Sequence, residues 1–554
     1  MQKKKRQNVK NVRSVIRQTV TGYAGLSLGI VLAVVGAIVT ALLPPWILGS
    51  IVDTITAGNA VPVALVILYF AFTVLTGLTE STREGLLTVF GQKITHALRS
   101  SMMEKYTNLT AGELTKQEPG TIVSRFVGDV DTVENLFTSG IISMFADACK
   151  IISILVVIWL KNRGLAIVLL VLLPFLYWFT RTVQKNMLKA QIENRRAVGR
   201  ASGHVPETLH NIRTIHTLGK EHYMEQRYDE YIAESYRAVD RTNFYDAIYS
   251  PVILILNAIV VAVVMLFSAS GNARVLTLFG MSAGTAVAVI NYISQIFTPV
   301  ESLGMEIQTI QSAIAGVHRI NEFYALEELP KKNSGEKTAE PQNSTENPFV
   351  ELQNVTFGYE DDDRKILQTL NFQVYPGEQV TLSGRTGAGK STVFKLLLGL
   401  YQPGEGKVLI QGRDAFQIPE NEKRSLYGYV EQTFHRVPGT VKDQITLYDD
   451  SFTMEEVREA ARIAGLDATI EQLEKGYDTL CTSEIFSQGQ WQLLSIARAA
   501  VAKPKLLLLD EITANLDAQT EEEVLQALKR ASEGRTVISI SHRVNAETGR
   551  IINI

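Results

Sequence analysis

Two cysteines in 554 residues, Cys149 and Cys481, lie far apart in segments of different character. That scarcity excludes a disulfide framework and fits a chain whose soluble part stays in a reducing compartment. Neither sign of charge is in surplus: 54 Lys and Arg stand against 57 Asp and Glu, a net charge of −3, so no polybasic surface points to nucleic acid. No cleavable leader is expected at this N-terminus. The N-terminus MQKKKRQNVKNVRSVIRQ is basic, but the apolar run beginning near Tyr23 is too long for a signal peptide and leads into further apolar segments. Residues 1–22 are therefore expected to be a cytoplasmic tail held at the inner leaflet by charge. Charge itself is scarce before about residue 300 and crowds after it, although the whole chain averages 46% hydrophobic and 20% charged residues. A chain of this length and split composition calls for more than one domain.

Long apolar runs are what the first half has in quantity. A bilayer core takes about 20 apolar residues per helix. Six segments meet or approach that length: Tyr23–Leu48, Pro62–Leu78, Gly140–Leu160, Leu165–Val183, Val252–Phe267 and Gly280–Val300. Lys and Arg are absent from the connection Asp53–Val61, and the other two outer turns carry only Lys161 with Arg163, and Arg274. The stretches containing Arg83, Lys93, Arg99 and Lys105, and Arg181, Lys185, Arg195 and Arg200, are rich in them. Basic connections stay cytoplasmic, so six spans put both termini inside a plasma or inner membrane. The connections Glu80–Ser139 and Gln184–Ser250 read as helical and are expected to carry the membrane helices into the cytoplasm. The polar stretch Pro330–Pro348 reads as a flexible linker, after which short Val/Leu/Ile strands alternate with helices. The domains expected are a tail (1–22), a six-helix all-α membrane domain (23–328), a linker (329–348) and an α/β P-loop nucleotide-binding domain (349–554).

The motif that carries chemistry is Gly384-Arg385-Thr386-Gly387-Ala388-Gly389-Lys390-Ser391-Thr392, a complete P-loop. It follows the strand-like Gln379–Ser383 and opens a helix-like run, the setting in which backbone N–H groups cradle phosphates. Lys390 is placed to reach the β- and γ-phosphates of ATP, and Ser391 to ligate Mg²⁺. Downstream, Lys505-Leu-Leu-Leu-Leu-Asp510-Glu511 reads as a buried strand ending in acids, with Asp510 beside the Mg²⁺ site and Glu511 as general base toward the attacking water.

On these residues the chain resembles the ATP-binding cassette (ABC) transporter family. About 120 residues separate the P-loop from Asp510, room for the family's helical subdomain. Phe486-Ser487-Gln488-Gly489-Gln490 resembles the signature LSGGQ. By the same resemblance Tyr359 stacks on adenine, Gln432 touches Mg²⁺ and the membrane domain, Ala514–Asp517 is the D-loop with Asp517, and His542 meets the γ-phosphate. Pro119–Val130 and Glu207–Glu221 resemble the patterns that follow the two intracellular loops of type IV, B-family-like exporters, with the membrane domain first. Two departures stand out. The signature carries Phe486 and Gln488 where the family has Leu and Gly, and the stretch before it is about two residues short. Ser487, Gly489 and Gln490 are expected to face the partner's ATP. The chain also reaches Ile554 soon after His542, without the family's usual C-terminal strand and helices.

The resemblance implies an ATPase coupled to export, a half-transporter that works as a dimer among membrane lipids. Intact Glu511 and His542 beside an altered signature favour a heterodimer with a second half-transporter, a homodimer being the alternative. The substrate, a small molecule, drug, peptide or lipid, is not legible. Asp147 and Lys150 in the third span read in two ways: as an ion pair satisfied inside the bundle, or as part of a substrate cavity together with Asn291 and Gln295 in the sixth. An ATP-gated channel or sensor of the same fold is the rival reading.

Overall fold

The computed structural model describes residues 10–268, 282–329, 347–359, 364–385, 387–511, 516–540 and 549–554. The chain divides into two compact units, Met1–Thr107 with Gln117–Leu326, and Asn108–Lys116 with Glu327–Ile554.

The first unit is helical. An amphipathic helix, Val12–Gly22, opens it, with Asn11 and Ser14 forming a reciprocal N-terminal cap. Ala24–Thr56 follows and runs through Pro44 and Pro45. It outlasts the segment expected from hydropathy, so Asp53 lies inside the helix rather than in a connection. Its last turns are held by back-bonding hydroxyls, Thr54 to the Ser50 carbonyl and Thr56 to the Val52 carbonyl. The Asp53 carboxylate caps the later helix Ala283–Ala325, accepting from Gly284 N–H at 2.8 Å and Ser282 Oγ at 2.7 Å. Helices Val63–Thr107, Arg163–His210 and Glu221–Ser268 contain 45, 48 and 48 residues. At about 1.5 Å per residue they reach roughly 70 Å, more than twice a bilayer's hydrocarbon core of about 30 Å.

Among the described residues, three runs are long and apolar enough to cross a membrane: Ala24–Thr56, Val63–Thr107 and Pro119–Lys161. Shorter apolar stretches occur at Leu254–Val263 and Ala283–Phe297. Large side chains such as Leu32, Ile67, Phe70 and Leu160 stand exposed on these helices, which water would penalise and lipid would not. Inside, Ile154, Ile158, Leu169, Val260, Val289 and Ile293 form the packed core.

Within Pro119–Lys161 the helix loosens into two π-helical turns, Arg125–Asp129 and Leu136–Gly140. Asp129, buried, receives Arg319 Nε on both carboxylate oxygens at 3.0 Å and Arg319 Nη2 at 2.5 Å. A planar guanidinium suits that double contact, and the pair ties the 119–140 region to the Ala283–Ala325 helix.

The second unit is α/β. One sheet is antiparallel in the order β2 (Leu367–Val374), β1 (Val350–Phe357), β4 (Glu405–Ile410), β5 (Arg413–Asp414). The other is parallel in the order β6 (Tyr427–Val430), β7 (Leu506–Asp510), β8 (Thr536–Ile540), β3 (Gln379–Ser383), β9 (Arg550–Asn553). Four of the five residues of β7 and all five of β8 are buried, as expected for central parallel strands. A helical layer, Val441–Thr446, Met454–Ala464, Asp467–Glu471 and Gln488–Ala500, lies in the chain between β6 and β7.

β9 corrects one expectation. Nothing in the residues after His542 reads as a C-terminal strand, yet Arg550–Asn553 pairs in parallel with β3. The segment is only four residues long, too short for alternation to register. It forms because β3 offers an unpaired edge and because Arg550 Nε binds Glu378 at 2.6 Å.

Candidate nucleotide site

Leaving β3, the chain turns through Gly384, Arg385, Gly387 and Ala388 to Gly389 and enters the helix Lys390–Leu397. Gly387 and Gly389 have φ of 84° and 103°, which disfavours a side chain. A Cβ at Gly389 would also fall 2.6 Å from Leu367 Cδ2. Lys390 is buried, its ammonium donating to the carbonyls of Gly384 at 2.9 Å and Arg385 at 3.1 Å. The cation therefore sits in the loop's concavity, where phosphate oxygens would displace those carbonyls as its partners. Ser391 is exposed in the helix's first turn, and buried Thr392 lies 3.3 Å from the Tyr359 hydroxyl.

Tyr359 packs edge-on against Phe357 and Tyr401. Lys395 Nζ donates to its hydroxyl and lies 5.2 Å from the ring centroid. One ring face thus already carries a cation.

At the end of β7, Asp510 accepts from the Tyr429 hydroxyl at 3.3 Å. Burial, with the nearby charges of Glu511 and Glu431, pushes its carboxyl above the ordinary range, while Tyr429 and Lys390 pull it back. Burial likewise raises the Tyr429 phenol. Glu511 follows with φ of 44°, a left-handed conformation that costs a residue bearing a Cβ. Its N–H donates to the Ile540 carbonyl of β8 at 3.2 Å, and its Oε2 accepts from Gln432 Nε2 at 3.4 Å. Lys390, Gln432, Asp510 and Glu511 thus come from the carboxyl ends of parallel strands and the turns that follow, the edge where ligands bind in such sheets.

The expected signature caps the helix Gln488–Ala500. Ser487 Oγ accepts from Gln490 N–H at 3.3 Å, and Gln490 Oε1 accepts from Ser487 N–H at 2.9 Å. Ser487 and Gln488 are exposed, while Gly489 is buried against Thr520. Phe486 is buried, its ring meeting Trp491 edge-on at 5.1 Å, and Trp491 in turn stacks on Phe434 at 5.2 Å. The large residue in place of the family's leucine therefore has a partner. Arg498 lies over Phe434 at 4.0 Å and donates to the carbonyls of Gln444 and His435. Its burial pulls the guanidinium down to about 10. None of the Phe434, Trp491 and Arg498 contacts was legible in the sequence.

Asp517 caps the helix Ala518–Ser532, accepting from Thr520 N–H at 3.0 Å and Thr520 Oγ1 at 2.7 Å. These bonds lower its pKa. Thr386, Ala514, Asn515 and His542 lie outside the described residues. Cys481 is half-buried, its thiol pushed up to about 11 by burial, so it is no reactive nucleophile.

No cluster of three or more His, Cys, Asp or Glu side chains able to hold a metal occurs among the described residues. Ser391, Asp510 and Gln432 suit a divalent ion that arrives already bound to phosphates and needs few protein ligands. The acids Asp510, Glu511 and Glu431 are the charge such an ion would offset, Asp510 being raised first by burial and then by its two acidic neighbours.

In the membrane unit Asp147 and Lys150 are half-buried on the helix Ile141–Lys161. Asn291 is exposed, its amide donating to the Val287 carbonyl. Gln295 is half-buried, with a shielded Oε1 that meets no hydrogen-bond donor. A small cleft of about 40 Å³ is lined instead by residues including Trp46, Asp53, Lys161 and Tyr292.

The family profile "ABC transporter transmembrane region" matches residues 26–300, and "ABC transporter" matches residues 367–514. The chain is 29% identical over 550 residues to an uncharacterized ABC transporter ATP-binding protein of Bacillus subtilis, covering 98% of this chain and 89% of that one. It is also 29% identical to an ATM1-type heavy metal exporter of Novosphingobium aromaticivorans, covering 93% and 85%. The solved structure of a bacterial Atm1-family ABC exporter with ATP bound superimposes with a TM-score of 0.75 at 25% identity, covering 98% and 94%. Fused in one polypeptide, the helical membrane region and the cassette with its P-loop place this chain in the ABC transporter family, with the fold of an ABC exporter.

Proposed function

We propose that the chain is one half of an ATP-driven exporter, with both termini cytoplasmic, working as a dimer that ATP closes and hydrolysis resets. The observation that carries this reading is Glu511. It follows Asp510 directly, is held at positive φ, and receives the Gln432 amide beside a P-loop whose buried lysine points inward. Strain at such a place is the cost of fixing a side chain toward a reacting atom.

In this reading the P-loop N–H groups and Lys390 hold the β- and γ-phosphates. Ser391, Gln432 and Asp510 would hold Mg²⁺, which when bound neutralises charge developing on the phosphate oxygens. Glu511 accepts a proton from the attacking water, and His542 contacts the γ-phosphate. Ser487, Gln488, Gly489 and Gln490 serve the ATP of the partner cassette, so one chain alone makes no complete site. Closure of two such sites pulls on the long helices and turns the membrane cavity outward. The altered signature beside an intact Glu511 favours a heterodimer in which the partner supplies the ordinary signature. Drugs, peptides and lipids remain the substrate classes, and the relative named a heavy metal exporter adds metal species to them.

Glu511→Gln tests the reading. ATP binding should persist while turnover falls about 10²–10⁴-fold, the usual loss with a positioned general base. Near-normal hydrolysis by the variant would refute the assignment.

A further inference from the structure

Trp491 immediately follows the signature, and its contacts run toward the segment that carries Gln432. Phe434 stacks on its ring at 5.2 Å and 24°. Phe486 meets it edge-on at 5.1 Å and 89°. The Arg436 guanidinium lies 5.6 Å from its centroid. Phe434 is itself clamped from Arg498, on the same helix as Trp491, at 4.0 Å. Beside this stack the Gln492 amide donates to the Gln432 carbonyl at 2.7 Å. Arg498 Nη1 donates to the His435 carbonyl at 2.9 Å. The backbone from Gln432 to Arg436 is thus attached to the Gln488–Ala500 helix by two hydrogen bonds and the stacked ring, while the Gln432 side chain reaches Glu511.

The attachment has direction. Gln432 is exposed and its amide is 3.4 Å from Glu511, a long bond that a better partner would replace. The Gln492 bond at 2.7 Å and the stack are tight. When the Gln432 side chain moves to engage bound nucleotide, the 432–436 segment carries Trp491 and the helix N-terminus with it. Phe486 and Ser487 lie at that N-terminus. An aliphatic residue at position 486 would leave the Trp491 edge without its aromatic partner, so the departure from the family pattern at 486 and the tryptophan at 491 form one unit.

We propose that Trp491 is a positioning residue that transmits engagement of Gln432 at this chain's own ATP site to the signature residues Ser487–Gln490, which face the ATP of the partner. The inference rests on the ATPase reading above and adds to it a specific mechanical link between the two sites of the dimer. Truncating the ring leaves the nucleotide's own contacts in place and removes the link. Aromatic pairs of this geometry favour an arrangement by roughly two- to tenfold each. Trp491→Ala should therefore lower kcat about tenfold, change half-saturation in ATP binding by less than about threefold, and be largely rescued by Trp491→Phe.

The test uses the full-length protein with its partner in a lipid bilayer, and ATP with Mg²⁺ as the probe. Only four tryptophans occur in the chain, and Trp491 alone lies in the cassette. The ATP-induced change in tryptophan emission of the wild type, less that of Trp491→Phe, reports on Trp491. The proposal requires a change that survives in Glu511→Gln and disappears in Gln432→Ala. It is overturned if the Trp491 signal is absent in the wild type or persists in Gln432→Ala. It is equally overturned if Trp491→Ala weakens ATP binding in step with kcat, the signature of a merely damaged fold, or leaves kcat unchanged. Failure of the underlying ATPase reading would show separately, as wild-type hydrolysis by Glu511→Gln.

Discussion

Gly489→Ala isolates a packing constraint at the signature from its chemistry. A Cβ built on Gly489 lands 2.0 Å from Thr520 Cγ2 and 3.4 Å from Thr520 Cβ, far inside contact distance for the methyl. Rotation of Thr520 does not relieve this easily, because its Oγ1 donates to Asp517 Oδ2 at 2.7 Å and helps cap the Ala518–Ser532 helix. Either that cap is lost or the two helices part. Overpacking of this kind costs about 1–3 kcal/mol, and loss of a cap about 1 kcal/mol. Thr520→Ser removes the methyl and keeps the hydroxyl, so Gly489→Ala in that background should cost under about 1 kcal/mol. Chemical denaturation of all four proteins, followed by cassette circular dichroism, gives the coupling energy directly. Equal destabilisation by Gly489→Ala in both backgrounds, or none in either, refutes the packing argument. If stability returns in the double variant but ATPase activity does not, glycine at 489 is required for contact with nucleotide as well.

Other perturbations follow from the same geometry. Asp510 has a folded pKa raised by burial, so its ionised form opposes folding: its contribution is neutral below the ordinary carboxylate range and becomes unfavourable as pH rises through that range. Asp510→Asn should therefore raise the melting temperature of the nucleotide-free protein at pH 7 while abolishing turnover, and a lower melting temperature contradicts this. Purified alone, the chain should show little substrate-stimulated ATPase activity; a stable homodimer with brisk stimulated turnover would refute the heterodimer. Asp147→Asn with Lys150→Gln should leave basal ATPase activity and remove substrate stimulation. Unchanged stimulation in a folded protein assigns the two residues to structure alone.

What was legible in the sequence was what is local. The P-loop reads from one continuous stretch because a strand end, a turn of glycines and a helix start are fixed by neighbours in the chain, and Asp510 with Glu511 reads in the same way from β7. Among the described residues, the apolar runs lie largely in long helices, the last of them from Ala283 onward, because hydropathy needs no partner to be recognised. Contacts that join distant positions were not legible. Asp53 caps a helix through the N–H of Gly284, 231 residues later in the chain, whereas hydropathy alone assigns it to a loop. Phe434 and Trp491 meet only because β6 and the Gln488–Ala500 helix are adjacent in space, and neither residue carries a periodic signal. Arg319 and Asp129 are 190 residues apart and pair only once the Ala283–Ala325 helix is packed. β9 was missed because the partner that makes four residues a strand, the edge of β3, lies far back in the chain.

The central claim, that ATP hydrolysis at this cassette drives transport, is tested most directly by flux in inside-out membrane vesicles containing the chain and its partner. With ATP and Mg²⁺ outside, a transported compound should accumulate inside against its gradient, and Glu511→Gln should abolish the accumulation while still binding ATP. A flux that runs only down the gradient and persists in Glu511→Gln would contradict the account and mark the protein as an ATP-gated channel.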